Sequence, residues 1–187
     1  MNVLRRVHNN VFEAVSRADW ILPTLARFLF GAVLASYFWV SALTKVGDGF
    51  GGIWTLEFGA YAQIFPKVME TVSFDISTLS AWQHGVVYLG TYAEFILPAF
   101  IIVGFLTRLS AIGLTVFIIV MSLTDLFGHA ALSDPKVFGA WFDNAPDSLI
   151  LDQRALWVFL LLVLIVKGAG PISLDNALAP RKNPHLD

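Results

Sequence analysis

The sequence contains no cysteine, and this absence excludes several kinds of chemistry before any motif is considered. Disulfide bonds, thiolate metal sites, thioether attachment of haem and CxxC redox chemistry all require cysteine thiols. The chain therefore cannot be a membrane thiol oxidoreductase. If it takes part in redox chemistry, it must do so through a bound quinone, another bound cofactor or a partner subunit.

Charged side chains are also scarce. Asp, Glu, Lys and Arg make up 14% of the 187 residues, whereas a soluble domain carries roughly 25%. The formal net charge of -2 argues against the basic surface on which nucleic-acid binders depend, so we expect no nucleic-acid partner. Hydrophobic residues reach 57% and the mean hydropathy is +0.70. This composition indicates that lipid is the solvent for much of the chain.

Four apolar runs are long enough, or nearly so, to cross a bilayer, which takes about 20 largely apolar residues. The predicted spans lie at about 20–44, 85–105, 109–127 and 150–169. The last run has a short apolar core and must borrow less apolar flanking residues. We therefore predict an all-α integral membrane protein, a four-helix transmembrane bundle that forms a single domain over residues 1–187.

The two loops on one side of this bundle, at about 45–84 and 128–154, are longer than simple linkers. In the first loop, the segment YAQIFPKVMETV (61–72) has the apolar spacing of an amphipathic helix, which Pro66 would kink or restart. Both loops are rich in aromatic residues. We expect them to form a partly helical outer cap, with an interfacial aromatic belt that includes Trp54, Trp82 and Trp141.

Lysine and arginine are distributed unequally between the two sides of the predicted bundle. The side that holds both termini carries Arg5, Arg6, Arg17, Arg108, Lys167, Arg181 and Lys182. On the other side, the basic residues of the long loops are diluted by acidic ones. The positive-inside rule then predicts a multi-pass membrane protein with both termini in the cytoplasm. The charged segment 1–19 lacks a small-residue cleavage site, which argues against a cleaved signal peptide.

Glu94 is the most informative residue, because an ionised group within a span costs several kcal/mol unless it is paired or hydrated. It lies well inside the second span, with Gly90 one turn before it and Pro98 one turn after it. Gly90 leaves room for a neighbouring helix or a ligand, and Pro98 frees the Glu94 carbonyl from its helical hydrogen bond. Glu94 is either a proton-accepting or ligand-binding carboxylate, or a structural carboxylate tied to an arginine.

Arg27 lies inside the first span, on a helical stripe with small and aromatic residues that ends at Lys45. Such a stripe is typical of a surface that faces protein rather than lipid. Because a guanidinium side chain can bridge several ångströms of depth, we predict an Arg27–Glu94 pair. The alternative is that Arg27 extends to the cytoplasmic interface.

A polar cluster is predicted at the outer end of the bundle. Asp125 and His129 form an i, i+4 pair, and His84 opens the second span on the same side. This cluster could be a proton entry, a quinone headgroup site, a metal site or an interfacial hydrogen-bonded cluster without chemistry. No HxxxH or ExxH spacing is present, so we predict no metal site. Asp152 and Arg154 either pair locally or complete the cluster.

Three segments resemble the DoxX family. The first, RFLFGAVLASYFWVSALTK (27–45), has an arginine, a glycine four residues on and a small residue shortly before lysine. The second combines the Glu94 and Pro98 spacing with VGFLTRLSAIGL (103–114). The third, KGAGPISLDNAL (167–178), is similar to the closing segment of the family.

This resemblance implies a four-helix inner-membrane protein. Some family members are described as the membrane subunit of a thiosulfate:quinone oxidoreductase, and others as partners of detoxification or sulfur-metabolism enzymes. The residues that match family positions carry no firm catalytic role there; they are Arg27, Lys45, Glu94, Arg108, Ser173 and Asp175. The long aromatic outer loops depart from the compact family pattern. Ser173 and Asp175 also have a local interpretation, as a turn and cap at the membrane exit.

Two classes of function follow, with a third in reserve. In the first, the chain is the membrane subunit of a quinone-linked oxidoreductase, with the headgroup held by Arg27 or Glu94, or by His84, Asp125 and His129. In the second, it is a non-catalytic membrane module that binds a partner subunit through the outer loops. A small-solute or proton-coupled transporter, which would need to oligomerise, is the reserve. No cofactor is firmly implied, quinone is the candidate, and enzymatic activity stays open.

Overall fold

The structure, a computed structural model, describes residues 2–180, apart from the side chains at positions 2, 4, 11, 14–17 and 50. Arg181 and Lys182, which contribute to the predicted charge bias, lie outside the described residues, as does the Arg17 side chain. The regular structure of the described part is helical. It contains an isolated β-bridge between Val46 and Leu56 but no strand, which confirms the all-α prediction.

Four helices are long and apolar enough to cross a membrane, and they agree with the predicted spans to within a few residues. We number the helices in chain order, and the membrane-spanning ones are α2 (Ile21–Leu43), α5 (Ala81–Val103), α6 (Thr107–Gly128) and α7 (Leu149–Lys167). As expected, the fourth is completed by flanking residues, here at its N-terminal end. Their mean hydropathy lies between 1.6 and 2.2, so the chain is a multi-pass membrane protein.

The four spanning helices form a ring, in which α2 packs against α5 and α7, and α6 packs against the same two helices. Successive helices run in opposite directions. The centre of the ring is filled by large side chains that are almost fully buried, including Phe30, Phe38, Leu114, Ile118 and Leu161. The outer surfaces are apolar and exposed, as expected for helices that face lipid.

The two ends of the bundle differ. At one end, which we call the tight-turn end, three residues (104–106) connect α5 to α6, and the closing segment 168–178 packs against this turn. At the other end, the cap end, the long segments 44–80 and 129–148 lie between the helices.

Three turns of the spanning helices are π-helical rather than α-helical. They are Phe30–Leu34 in α2, Thr124–Gly128 in α6 and Leu149–Arg154 at the start of α7. A π-turn widens the helix by one residue and rotates the side chains that follow, and such turns are frequent at functional sites. Two of the three contain the charged residues Asp125 and Arg154, whose contact is described below.

The cap contains two of the shorter helices, α3 (Phe58–Ile64) and α4 (Pro66–Thr71). The amphipathic segment therefore does form helix, and Pro66 restarts it after a break at Phe65, whose φ and ψ are -124° and 56°. Apolar residues of α3 and α4 pack against the first turns of α5 around a small second core, in which Ala60 and Met69 are fully buried. The first predicted cap loop is thus partly helical.

Helix α5 is delimited by standard capping interactions. Ser80 and Gln83 form a reciprocal capping box at its start, which satisfies backbone N–H groups that have no helical partner. Gly104 ends the helix in the left-handed region, with φ 70°. A side chain at this position would be obstructed, because a Cβ atom would lie 2.5 Å from Ser173 Cβ and 2.9 Å from Arg27 Cζ.

We predict that Gly104→Ala destabilises the protein by about 1–3 kcal/mol, because it combines a disfavoured φ with a close contact. Gly85 in the same helix is the matched control, since a Cβ there meets nothing within 4 Å. Gly85→Ala should be neutral or stabilise by up to about 1 kcal/mol. Thermal unfolding in detergent measures both effects. Equal melting temperatures for the two variants would contradict the close packing at Gly104.

Candidate functional site: a buried lysine–glutamate pair beside an apolar cavity

Glu94 forms an ion pair with Lys45 in the interior of the bundle. The Lys45 ammonium donates to both carboxylate oxygens of Glu94, at 2.7 and 2.6 Å, and both side chains are only 3% exposed. Lys45 also donates to Ser41 Oγ at 2.8 Å, and Ser41 Oγ donates to Glu94 Oε1 at 3.4 Å. The polar side chains of Ser41, Lys45 and Glu94 therefore satisfy one another in the interior of the bundle.

The Lys45 side chain points inwards because backbone hydrogen bonds at the end of α2 fix the position of this residue. Lys45 lies two residues beyond the end of the helix at Leu43, and its backbone N–H still donates to the Ala42 carbonyl. Its own carbonyl accepts from the Glu57 N–H at 2.9 Å, which ties the residue to the start of α3. Ser41 lies one turn before it on the same face. The cap thus holds the lysine backbone while its side chain reaches down to Glu94.

The predicted Arg27–Glu94 pair is wrong. Arg27 instead donates to the carbonyls of Ile101 and Ile102 at the end of α5, and to those of Ala169 and Ile172 in the closing segment. Ile101 and Ile102 lie seven and eight residues beyond Glu94, which is roughly 10 Å along the helix axis. This offset exceeds what the guanidinium could bridge while it also serves its backbone partners. The alternative, that Arg27 extends to the cytoplasmic interface, stays a prediction; its guanidinium does lie at the tight-turn end of the bundle.

Arg27 is nevertheless in a favourable place, because the last carbonyls of a helix carry a partial negative charge. It joins α2, the end of α5 and the closing segment into one cluster at the tight-turn end.

Asp175 of the closing segment accepts from the backbone N–H groups of Leu106 and Thr107, at 2.7 and 2.9 Å, and so caps the start of α6. The local interpretation of Ser173 and Asp175 as cap residues is confirmed, because Ser173 caps α8 (Leu174–Leu178).

The pKa of Asp175 is lower than its ordinary value. Burial by itself would raise this pKa, but the hydrogen bonds from the Thr107 and Leu106 backbones and the charge of Arg27 outweigh burial. The ionised form is therefore the one that stabilises the turn.

A second charged pair joins α6 to α7. Arg154 Nη2 lies 2.7 Å from Asp125 Oδ2, and Arg154 Nη1 donates to Ser122 Oγ at 3.0 Å. The Arg154 side chain is 4% exposed and that of Asp125 is 26% exposed. Arg154 thus pairs with Asp125, which neither predicted alternative describes in full: Arg154 and Asp152 do not pair with each other, and Arg154 reaches only one member of the predicted cluster. Asp152 instead accepts from the Ser148 N–H and hydroxyl, close to the start of α7.

The structure does not assemble the predicted cluster of Asp125, His129 and His84. His84 Nδ1 lies 2.9 Å from the Tyr61 hydroxyl, in the cap core. His129 Nε2 donates to the Gln63 carbonyl at 3.3 Å. The π-turn at the end of α6 changes the side-chain register on which the i, i+4 prediction depended. Within residues 2–180, no group of three or more His, Cys, Asp or Glu side chains is arranged to hold a metal ion.

A cavity of about 280 Å³ lies between α5, α6 and the cap helix α3. Its walls are mostly apolar, and its polar lining consists of Lys45, Gln63, Glu94, Thr124 and Asp125. Both charged pairs therefore contribute a carboxylate to the same cavity. Arg27, His84 and His129 do not line it.

The cavity opens sideways between the helices. Leu89, Val116 and Val120 line it and are also 73%, 55% and 56% exposed on the outer surface of α5 and α6. Gly90 and Gly113 line the wall between them. Gly90 faces Ile64 of the cap, since a Cβ there would lie 3.5 Å from Ile64 Cδ1. The room that Gly90 was expected to leave is thus taken by the cap helix and the cavity.

Lys45 and Arg154 are the charged partners that sequence reasoning did not assign to Glu94 and Asp125. A signal for Lys45 was present, because it ends the buried stripe of α2 and follows Ser41 by four residues. Arg154 gave a weaker signal, since it precedes the apolar core of α7 and resembles an ordinary flanking charge. Both Arg154 and Asp125 lie in π-turns, which regular helical spacing does not predict.

These features define a multi-pass helical membrane protein with a buried ion pair beside a laterally open cavity. The model of the DoxX family matches residues 23–130, which is more than half of the chain. The chain therefore belongs to the DoxX family. The match includes Arg27, Lys45, Glu94 and Asp125, whereas α7 and the closing segment follow it. Searches of curated proteins and of solved structures give no match.

We predict that Glu94→Gln or Lys45→Met alone destabilises the protein by about 3–5 kcal/mol, because each leaves a buried charge without its partner. The double variant Lys45→Met/Glu94→Gln should recover much of this loss. Denaturant unfolding of the purified protein measures the coupling. Additive losses in the double variant would show that the two side chains do not stabilise each other.

A second prediction concerns Asp175. Because its folded pKa lies below the unfolded value of about 3.9, its stabilisation is complete above that pH and is lost as the pH falls through the folded pKa. Asp175→Asn should cost about 1 kcal/mol at neutral pH and flatten the loss of stability in acid. The control is Asp19→Asn, since the Asp19 side chain is 80% exposed beside Lys167. An unchanged acid response in Asp175→Asn would contradict the capping role.

Proposed function

We propose that the chain is a quinone-binding membrane subunit of an oxidoreductase, with the quinone headgroup in the cavity between α5 and α6. The observation that supports this best is a charged, hydrogen-bonding pair, Lys45 and Glu94, at the wall of an otherwise apolar, laterally open cavity. Ligand sites of this kind bind an apolar body and orient it with a few polar groups. A lipid-soluble quinone has both parts.

The size of the cavity favours a headgroup rather than a complete long-tailed molecule. Pockets for drug-sized ligands have volumes of about 300–1,000 Å³, and this cavity has about 280 Å³. The isoprenoid tail would leave between the exposed side chains of Leu89, Val116 and Val120, directly into the bilayer. The ligand could then enter without crossing water.

The residues of the chain would bind the ligand and handle its protons. Glu94 can accept or release a proton at a quinone oxygen. The Lys45 ammonium would donate to that oxygen in exchange for its hydrogen bond to Ser41, since all three of its N–H groups are already engaged. Asp125, which lines the same cavity and is 26% exposed, would exchange protons towards the cap end. A bound quinone supplies the chemistry of taking up two electrons and two protons. Because the chain has no cysteine, a partner subunit would supply the electrons.

We also propose that the tight-turn end faces the cytoplasm in the inner membrane. Arg5, Arg6, Arg108 and Lys167 belong to that end, whereas the cap end carries more acidic than basic residues in its long segments. This distribution supports the orientation through the positive-inside rule. The proposed partner would then approach the cap from the outer side.

A specific observation also favours the second candidate, a membrane module that assembles a larger enzyme. In the segment 129–148, Trp141 is 62% exposed and Phe142 is fully exposed with a φ of 67°. An aromatic side chain held outwards at a disfavoured φ is typical of a contact surface. This role requires a partner but no quinone.

The test is the quinone content of the intact protein purified in mild detergent, measured by solvent extraction and chromatography. We expect wild type to retain quinone. Ala93→Phe should fill the cavity and lower retention about tenfold, which corresponds to about 1.4 kcal/mol of binding free energy. Ile96→Phe is the matched control on the same helix, since Ile96 is 46% exposed and is absent from the cavity lining. It should retain quinone as wild type does.

A further variant separates folding from binding. Lys45→Met/Glu94→Gln keeps the interior neutral, so it should fold while it loses the polar contacts to the headgroup. Weaker quinone retention in this variant is expected. Absence of quinone from wild type, together with a co-purifying partner, would overturn the quinone proposal in favour of the assembly module. Equal retention in wild type and Ala93→Phe would place any quinone outside this cavity.

A further inference from the structure

Helix α1 (Asn2–Arg17) precedes the first span and has two distinct faces. At 100° per residue, the apolar positions 3, 4, 7, 11 and 15 fall on one side. The opposite side carries Arg5, Arg6 and Asn9, together with positions 13 and 16, whereas positions 10 and 12 lie at the two boundaries between the faces. A helix with this pattern is built to lie between a polar and an apolar medium.

The apolar side chains of α1 that the structure describes are exposed. Val3 is 78% exposed and Val7 is 57% exposed, and α1 does not pack extensively against any other described helix. The helix cannot be a further span, because its 16 residues fall short of the roughly 20 apolar residues required and its polar face is continuous. Its exposed apolar side chains need a medium other than water.

The position of the α1–α2 junction indicates what that medium is. Only Ala18, Asp19 and Trp20 separate α1 from the span α2. Asp19 Oδ1 lies 3.0 Å from the ammonium of Lys167, the last residue of the span α7. Trp20 is 53% exposed, as expected for a residue at the headgroup level. The junction therefore lies at the membrane boundary, and α1 ends at the level of the headgroups.

The charge of α1 selects among membrane lipids. The segment contains Arg5, Arg6 and Arg17 against a single acidic residue, Glu13. Each basic residue near an anionic bilayer surface contributes about 1 kcal/mol of attraction, whereas a zwitterionic surface offers none of this. An amphipathic helix with arginines on its polar face is typical of a segment that lies in the plane of the interface.

From these observations we infer that α1 is an in-plane membrane anchor, which inserts its apolar face at the tight-turn end and binds anionic phospholipid headgroups through its arginines. The occupant of the exposed face is the bilayer in which the protein is already embedded. The inference does not depend on the quinone proposal. It assigns a lipid-binding surface to a segment that lies outside the matched family region.

The natural absence of cysteine makes the test clean, because each introduced cysteine is the only labelling site. Val7→Cys and Asn9→Cys form a matched pair on opposite faces of α1. Each full-length variant is labelled with an environment-sensitive fluorophore and placed in nanodiscs of phosphatidylcholine, with and without phosphatidylglycerol. We expect blue-shifted emission and several-fold weaker quenching by aqueous iodide at position 7, and neither effect at position 9.

The arginines are tested in the Val7→Cys background. Phosphatidylglycerol should increase the protection of position 7, and the change Arg5→Gln/Arg6→Gln should remove this increase. Equal quenching at positions 7 and 9 in both lipids would overturn the in-plane anchor. Protection that phosphatidylglycerol does not change would overturn the anionic-lipid assignment. Protection found in native membranes but lost in pure lipid nanodiscs would show that a protein covers the face, and would overturn the inference.

Discussion

Ionisable side chains inside a lipid-embedded bundle have no water to solvate them, and the structure depends on how these side chains find partners. Lys45 and Glu94 join the end of α2 to α5, and Asp125 and Arg154 join α6 to α7. Arg27 connects α2 to the end of α5 and to the closing segment through backbone carbonyls. Apolar packing between helices is not strongly selective in lipid, because lipid tails are as apolar as the side chains. The charged contacts therefore select the order and register of the helices.

The same contacts divide the bundle into a structural end and a cavity end. At the tight-turn end, Arg27, Gly104 and Asp175 satisfy helix termini and leave little space, as the close approach at Gly104 shows. At the cap end, Glu94 is paired with Lys45 and Asp125 with Arg154, and both carboxylates also line a cavity. The residues that match positions of the DoxX family thus have different physical roles at the two ends of the bundle. Arg27 and Asp175 satisfy helix termini, whereas Lys45 and Glu94 line the cavity.

Much of the architecture could be predicted from the sequence, because hydrocarbon imposes a simple constraint on length and polarity. The four spans, the restart of the cap helix at Pro66 and the cap role of Asp175 all follow from local chemistry that a sequence displays directly. The candidate site was predicted less well. Glu94 and Asp125 were singled out because each carries a charge within a span, and both line the cavity. Their partners were assigned wrongly or left open.

The sequence by itself determined that this is a four-helix membrane protein with unusual charges in its interior, since composition and run length decide this without any knowledge of packing. The tertiary structure decided which charges meet. The sequence of one helix does not show at which depth its residues meet a neighbouring helix. Arg27 contacts Ile101 and Ile102, which lie roughly 10 Å along the axis of α5 from Glu94, its predicted partner. The π-turns at Thr124–Gly128 and Leu149–Arg154 rotate side chains by an amount that ideal helical spacing does not contain. The cavity lies between three helices, so its lining residues depend on how these helices pack and are not visible in the sequence.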